Sequence, residues 1–187
     1  MQIFTIGHST HSFDEFLSLL KEFEVRVVAD IRRYPGSRKF PHFNQEIMQR
    51  LLDAEGIKYV WFEGLGGRRH TAKNVKSPNT ALRSAAFRNY ADYMGTGEFR
   101  ASVEELMSRA GTSRTAIMCA EKLFWRCHRR LLSDYLVARG VEVKHIMEAG
   151  RLQTHSLSPG AVVTTDGEVI YPSPGTAEKP DSKHFLF

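Results

Sequence analysis

The densest concentration of chemically reactive side chains lies in residues 119–130, CAEKLFWRCHRR. A hydrophobic strand pattern leads into this segment and a helical pattern leaves it, which predicts a strand–loop–helix connection. Glu121 is suited to act as a general acid, a general base or a nucleophile once burial or neighbouring groups set its pKa. Cys127, His128 and Arg129 are predicted to open the helix, where the positive end of the helix dipole favours a thiolate or a bound anion. We therefore expect catalytic or anion-binding groups here.

A second reactive segment, residues 30–38 with the sequence DIRRYPGSR, also follows a hydrophobic strand pattern. Asp30 falls at the end of that strand, where a buried charge without a partner would be costly. Arg32 and Arg38 can pair with Asp30, or they can hold a phosphate group in a bidentate manner. The sequence leaves both interpretations open: an ion pair that fixes the loop, and a functional site.

Histidines follow two further strand patterns. His8 and Ser9 come after the first, where small residues let backbone N–H groups approach a ligand and His8 can exchange a proton near neutral pH. An ordinary turn is the alternative interpretation. His145 lies in the fifth strand pattern, and a single histidine in such a position is more often structural than catalytic.

A glycine-rich turn, residues 64–69 with the sequence GLGGRR, follows the third strand pattern. It matches neither the Walker lysine motif nor the GxGxxG dinucleotide fingerprint, so specific binding of ATP or NAD is not indicated. Backbone N–H groups of Gly66 and Gly67, with Arg68 beside them, remain compatible with a general anion site.

The elements that must position these residues alternate regularly between strands and helices. Ser12 and Glu15 have the spacing of a capping box, which predicts a helix from Ser12 onward. Strand patterns occupy residues 2–7, 25–31, 57–62, 114–119 and 141–147. This order predicts an α/β fold: a doubly wound, mostly parallel five-stranded sheet with helices on both faces.

The predicted domain organisation is an α/β Rossmann-like domain over residues 1–150 and a C-terminal extension over residues 151–187, packed on that domain or trailing from it. The Asp166-Gly167 pair predicts a small hairpin in the extension, and a tail is expected after Pro172. Ligands of doubly wound sheets bind beyond the carboxyl ends of the strands, near a point where the strand order reverses. The reactive segments are therefore expected to meet at one edge of the sheet.

Composition sets limits on the class of protein. The chain has 187 residues and a formal net charge of +5, which fits one domain with an anionic partner such as a nucleotide or nucleic acid. No segment approaches the roughly 18 apolar residues of a membrane span, and the N-terminus lacks a signal-peptide pattern, so a cytoplasmic protein without a membrane partner is expected. The two cysteines are expected to be free thiols.

Taken together, the motifs resemble those of a widespread prokaryotic family known as domain of unknown function 488. The resemblance runs from residue 2 to residue 146 and rests on the motifs TIGHS, DxR (here with isoleucine in the middle), LGGR, CAE, CHR and HI. Because the family has no established activity, the resemblance implies site positions rather than a reaction. The positions are His8, Ser9, Asp30, Arg32, Arg38, Gly66, Gly67, Arg68, Glu121, Cys127, His128, Arg129 and His145.

The leading functional hypothesis is an enzyme that acts on a phosphate-bearing substrate, with a nucleotide or nucleic acid favoured. Glu121 and Asp30 would serve as the acid/base or nucleophile pair, and His8 or His128 would carry a proton. Arginines would hold phosphate, as expected for hydrolysis of a glycosidic or a phosphoester bond. No cofactor is required by the sequence, although a divalent ion is compatible with it.

Two alternatives belong to other classes of protein. A non-catalytic module that binds nucleic acid through its basic face would show affinity that falls steeply with salt. A metal or redox sensor would use Cys119, Cys127 and His128, but their spacing lacks the paired C-x2-C of structural zinc sites, so no metal ligand is assigned. Internal pairing of the arginines and carboxylates remains a further alternative, and the sequence predicts no oligomeric state.

Overall fold

The computed structural model describes residues 1–70 and 76–174. Its strands and helices alternate along the chain as a doubly wound sheet requires. In order they are β1 Gln2–Gly7, α1 Phe13–Glu22, β2 Val27–Asp30, α2 Gln45–Ala54, β3 Lys58–Trp61, α3 Ala85–Met94, α4 Gly97–Thr112, β4 Thr115–Cys119, α5 Arg129–Val137, β5 Glu142–Glu148, β6 Arg151–Thr154, β7 Val162–Val163 and β8 Val169–Ile170. Short 3-10 turns cover Pro41–Phe43, Glu63–Leu65 and Phe124–Arg126.

The main sheet has six strands in the order β3-β2-β4-β1-β5-β6. The first five are parallel, and β6 runs antiparallel to β5 at the edge. The predicted doubly wound α/β class is thus confirmed, with one strand more than the five expected. All four residues of β6 are exposed, so the strand carries none of the hydrophobic alternation by which a sequence indicates a strand.

Helices cover both faces of the sheet. Buried residues of α1 and α2, such as Phe16 and Leu52, pack in one core cluster with Phe4 of β1. Buried residues of α3, α4 and α5, such as Tyr90 and Leu132, belong to the other cluster. The loop after β1 therefore leads to one face, and the loop after the neighbouring strand β4 leads to the other. Such a divergence leaves a crevice at the carboxyl edge of the sheet.

Local signals place the helices that flank this crevice. The predicted capping box at α1 is present, since the Ser12 hydroxyl accepts from the Glu15 backbone N–H and the Glu15 carboxylate accepts from the Ser12 backbone N–H. The helix predicted from residue 127 begins only at Arg129. Cys127 has extended backbone angles and ends the preceding 3-10 turn, so it lies just before the helix.

The C-terminal extension contains the predicted hairpin, with Gly167 in the left-handed region at a φ of 76° between β7 and β8. Tyr171 follows the hairpin and bonds to α5 and to the loop before α3: its hydroxyl donates to Asp134 Oδ2 at 2.7 Å, and its backbone N–H donates to Asn79 Oδ1 at 2.9 Å. The predicted tail after Pro172 lies outside the described residues from residue 175 onward. Among the described helices, none is long and apolar enough to cross a membrane.

Candidate active site

A cavity of about 590 Å³ opens at the carboxyl edge of the sheet, where the loops after β1, β2, β3 and β4 meet. The structure brings several sequence-predicted site residues to its wall although they are distant in the chain. They are His8, Arg32, Gly67, Arg68, Glu121, Cys127 and His128.

The loops after β1 and β4 lie in direct contact below the cavity. Backbone N–H groups of His8 and Ser9 donate to the carbonyls of Cys119 and Ala120, each at 2.9 Å, which continues the pairing of the two strands. Gly7 is required here, because a Cβ atom at this position would collide with the Glu121 carbonyl oxygen. The glycine that ends β1 thus allows the Glu121 loop to approach.

Asp30 differs from its predicted role. Its carboxylate is fully buried and accepts from the backbone N–H and the Nε of Arg32, both at 2.9 Å, from Arg32 Nη2, and from the Tyr59 hydroxyl at 2.6 Å. With these oxygens occupied, Asp30 does not line the cavity and is not placed to act on a substrate as half of a carboxylate pair. It instead fixes the Arg32 guanidinium, and burial together with the Asp30 charge raises the pKa of Tyr59.

His8 lies beside Arg32, with its ring stacked on Phe43 at a centroid distance of 4.1 Å. Its Nδ1 is 3.1 Å from the Ser9 carbonyl and therefore donates, which leaves Nε2 as an acceptor 3.4 Å from Arg32 Nη1. Burial, followed by the Arg32 charge, lowers the pKa of His8 to about 4. At neutral pH His8 is therefore uncharged, with its Nε2 lone pair directed towards Arg32 Nη1.

The two cysteines meet on the cavity wall, with their sulfurs 3.0 Å apart. The hydrogen bond from Cys119 is the largest influence that lowers the pKa of Cys127 to about 7, and burial raises the pKa of Cys119. His128 Nδ1 is 3.4 Å from the Cys127 sulfur, and its Nε2 is 3.2 Å from the Ile31 carbonyl. Burial lowers the pKa of His128, so its ring is neutral and its Nε2–H donates to Ile31.

Arg129 and His145 lie behind the cavity rather than on its wall. Arg129 is 1% exposed, and its Nη2 donates to the carbonyls of Glu121 and Lys122 at 2.8 and 3.2 Å. His145 Nδ1 is 2.7 Å from the Thr5 hydroxyl, and burial lowers the pKa of His145 to about 3. Neither residue lines the cavity, and Arg129 instead holds the carbonyls of the Glu121 loop.

The other predicted residues divide between the rim and positions outside the cavity. Glu121 is exposed at the rim, where its Oε1 accepts from the Leu123 backbone N–H at 3.3 Å. Ser9, Arg38 and Gly66 do not line the cavity. Arg38 is exposed elsewhere, and Gly66 packs so closely against Arg33 that a Cβ atom would lie 2.9 Å from the Arg33 Cα.

Sequence reasoning missed part of the cavity wall. Arg33, Tyr34, Arg126, Phe87 and Tyr90 also line it. The first three lie in residues 30–38 and 119–130, the two reactive segments of the sequence, so their position beside the predicted site residues is a signal that could have found them. The last two come from α3 at i and i+3 spacing, which is indistinguishable from an ordinary core pattern.

Fold and cavity define a doubly wound α/β protein with a basic site at the switch point of its sheet. The chain belongs to the family described as Domain of unknown function DUF488, whose profile matches residues 12–136. This confirms the resemblance predicted from the motifs. Searches of curated proteins and of solved structures found no significant match. Within residues 1–70 and 76–174, no group of three or more His, Cys, Asp or Glu side chains is arranged to hold a metal ion.

Proposed function

We propose that this protein is an enzyme that acts on a phosphate-bearing substrate, with a nucleotide or a nucleic acid favoured. The supporting observation is the charge of the cavity wall, to which residues 1–70 and 76–174 contribute four arginines (Arg32, Arg33, Arg68 and Arg126) and one carboxylate, Glu121. A concave site with such an excess of positive charge attracts anionic ligands.

Not all four cations are equally available to a ligand. Arg32 pairs with Asp30, and Arg33 Nη1 lies 2.8 Å from Glu63 Oε1. Arg68 and Arg126 are exposed and form no salt bridge within the described part of the chain. These two arginines are therefore the first candidates for direct contact with phosphate, while Arg32 contributes its remaining Nη1 from below.

Aromatic side chains beside the arginines favour a ligand that also carries a base. Tyr34 lines the cavity with 66% of its surface exposed, and the Arg68 guanidinium lies 6.0 Å from its ring centroid. Trp125, next to Arg126 in the chain, is 42% exposed. Exposed rings interleaved with arginines are typical of surfaces that stack nucleic-acid bases while holding the backbone.

Glu121 is assigned the proton transfer, because it is the one carboxylate on the cavity wall within the described part of the chain. As a general base it would activate water for attack on a glycosidic or a phosphoester bond. Arg68, Arg126 and the Nη1 of Arg32 would stabilise the negative charge that develops in the transition state. Asp30 has no direct part in this scheme and acts only by holding Arg32.

Binding is tested by anisotropy with a labelled single-stranded oligonucleotide and with a labelled nucleoside monophosphate. Arg68→Gln and Arg126→Gln are each expected to weaken oligonucleotide binding and to reduce the slope of log affinity against log salt by about 1. Arg50→Gln, which removes an exposed charge from α2 outside the cavity, is the matched control. Unchanged affinity in both cavity variants would rule out this site as the anion site.

Catalysis is tested by following release of free base and release of phosphate or shortened products from the same set of substrates. Glu121→Gln is expected to lower turnover on the order of 100-fold or more, the usual contribution of a general base. Glu104→Gln, on the exposed surface of α4, should retain full turnover. A wild-type protein that binds but never turns over, with binding intact in Glu121→Gln, would instead support the non-catalytic module.

A further inference from the structure

Two thiols of this chain lie in contact inside a cavity that a small molecule can enter. The sulfurs of Cys119 and Cys127 are 3.0 Å apart, and both residues are free, buried and part of the cavity wall. A disulfide bond is about 2.05 Å long, so a relative movement of about 1 Å would join the two sulfurs. The end of β4 and the start of α5 thus hold a dithiol in near-bonding position.

The surroundings of the two sulfurs are unequal. The Cys127 sulfur lies 3.0 Å from the Cys119 sulfur and accepts, at 3.4 Å, from the Arg129 backbone N–H at the N-terminus of α5. His128 Nδ1, which is unprotonated because Nε2–H donates to a carbonyl, lies 3.4 Å from the Cys127 sulfur and can take its proton. Both cysteines belong to the same core cluster, but within the described residues the Cys119 thiol has only the Glu121 carbonyl, at 3.7 Å, as a further polar partner, and burial raises its pKa. Cys127 is therefore suited to attack, and Cys119 to react second.

We propose that Cys119 and Cys127 form a redox-active pair that reduces hydrogen peroxide in the cavity, with Cys127 attacking and Cys119 resolving. The Cys127 thiolate attacks one peroxide oxygen and the O–O bond breaks. The leaving hydroxide takes the proton held by His128 and departs as water. Cys127 is left as a sulfenic acid.

The second step closes the disulfide. The Cys119 sulfur attacks the Cys127 sulfur, the S–O bond breaks, and the hydroxide leaves as water with the proton of Cys119. Overall, two thiols and one peroxide give one disulfide and two waters; the sulfurs are oxidised and the peroxide oxygens are reduced. A thiol reductant supplied from solution returns the pair to the reduced state. This activity is independent of the hydrolysis proposed above.

The direct test is mass spectrometry of the reduced protein after treatment with hydrogen peroxide and alkylation under denaturing conditions. The wild-type chain is expected to lose about 2 Da, to expose no alkylatable thiol, and to recover both thiols with dithiothreitol. Cys119→Ser should stop at a sulfenic acid on Cys127 that a dione probe traps, and Cys127→Ser should oxidise at least ~10-fold more slowly. Circular dichroism checks that both serine variants are folded.

The pH dependence of the first step distinguishes Cys127 from an ordinary thiol. Titratable or charged groups that face it are Cys119, His128, Arg129 and Tyr90. With a Cys127 pKa of about 7, the rate should fall about 10-fold between pH 8 and pH 6, against about 75-fold for a thiol of pKa ~8.5. A rate that falls as steeply as that of the ordinary thiol would overturn the proposal. So would mass spectra that show two intact thiols after peroxide treatment, disulfide-linked dimers, or full reactivity in Cys127→Ser.

Discussion

Replacement of Asp30 by asparagine tests the buried ion pair between Asp30 and Arg32 without changing a side chain on the cavity wall. Asp30 is 0% exposed and Arg32 is 7% exposed, so the guanidinium has little access to water if its partner loses charge. Asparagine keeps the size of the side chain and one acceptor oxygen. Its amide nitrogen, however, would face two donors in either orientation: Arg32 Nη2 and the Tyr59 hydroxyl on one side, or the Arg32 backbone N–H and Nε on the other.

The expected cost follows from the hydrogen bonds that are lost. Whichever way the amide is oriented, at least two donors lose a carboxylate acceptor, and each bond to a charged group contributes about 1.5–3 kcal/mol. Removal of one partner from a buried ion pair costs about 3–5 kcal/mol in general, which agrees with this sum. We therefore expect Asp30→Asn to lower the free energy of unfolding by about 3–5 kcal/mol. For a chain of this size, that corresponds to a fall in Tm of roughly 6–20 °C.

Urea unfolding followed by circular dichroism at pH 7 measures this loss. Asp53→Asn is the matched control, because Asp53 is exposed in α2 and such surface changes usually remain within ~0.5 kcal/mol. The double variant Asp30→Asn with Arg32→Met should lose less than the sum of the single variants, because the buried cation is absent. A loss below 1 kcal/mol in Asp30→Asn would refute the argument that Asp30 serves to hold Arg32.

Two further predictions concern histidines and a glycine near the cavity. Burial lowers the pKa of His8 to about 4 and that of His145 to about 3, so the unfolded chain binds more protons than the folded chain below pH ~6.5. As the pH drops from 6 to 4.5, the free energy of unfolding should therefore fall by about 1.2 kcal/mol per pH unit for each histidine. Urea titrations that show no dependence on pH in this range would contradict this. Gly67→Ala should destabilise by about 1–3 kcal/mol because its Cβ would lie 2.9 Å from His128 Nδ1, whereas Gly97→Ala, with no atom nearby, should unfold at the same or higher urea concentration.

The strand ends and the capping box could be predicted because each has a local signal. β2 shows this most clearly: its four residues are all buried, and a strand buried on both faces appears in the sequence as a continuous hydrophobic run. When five such strands alternate with helices, the right-handed crossover rule leaves few possible sheet topologies. Because the strands are parallel, the loops that follow them then meet at the carboxyl edge of the sheet. The edge strand β6 carries no such signal, because none of its residues is buried.

The roles of individual charged residues could not be predicted in the same way. The Asp30 carboxylate accepts hydrogen bonds from Arg32, two residues away, and also from Tyr59, which lies on the neighbouring strand β3. Arg129 and Arg126 differ by three positions, yet one is buried against loop carbonyls and the other is exposed at the cavity. The extended backbone at Cys127 separates them, and no sequence pattern indicates where a 3-10 turn ends.

Residues that lie behind the cavity connect its rim to the C-terminal extension. Arg129 holds the Glu121 carbonyl and lies 3.5 Å from the Thr5 hydroxyl, which contacts His145. His145 Nε2 is 2.9 Å from His155 Nδ1, and the far nitrogen of His155 is 2.9 Å from Asp134 Oδ1.

This chain of contacts extends beyond the part of the sequence that the family profile matches. Asp134 also accepts from the Tyr171 hydroxyl, whereas the match ends at residue 136. Each buried polar group in the series depends on the next for its hydrogen bond, and removal of one partner leaves another unsatisfied at a cost of about 1–3 kcal/mol. Residues 155 and 171 therefore belong to the same series of buried polar contacts as Arg129, although neither lines the cavity, and this series is not confined to the segment that the profile matches.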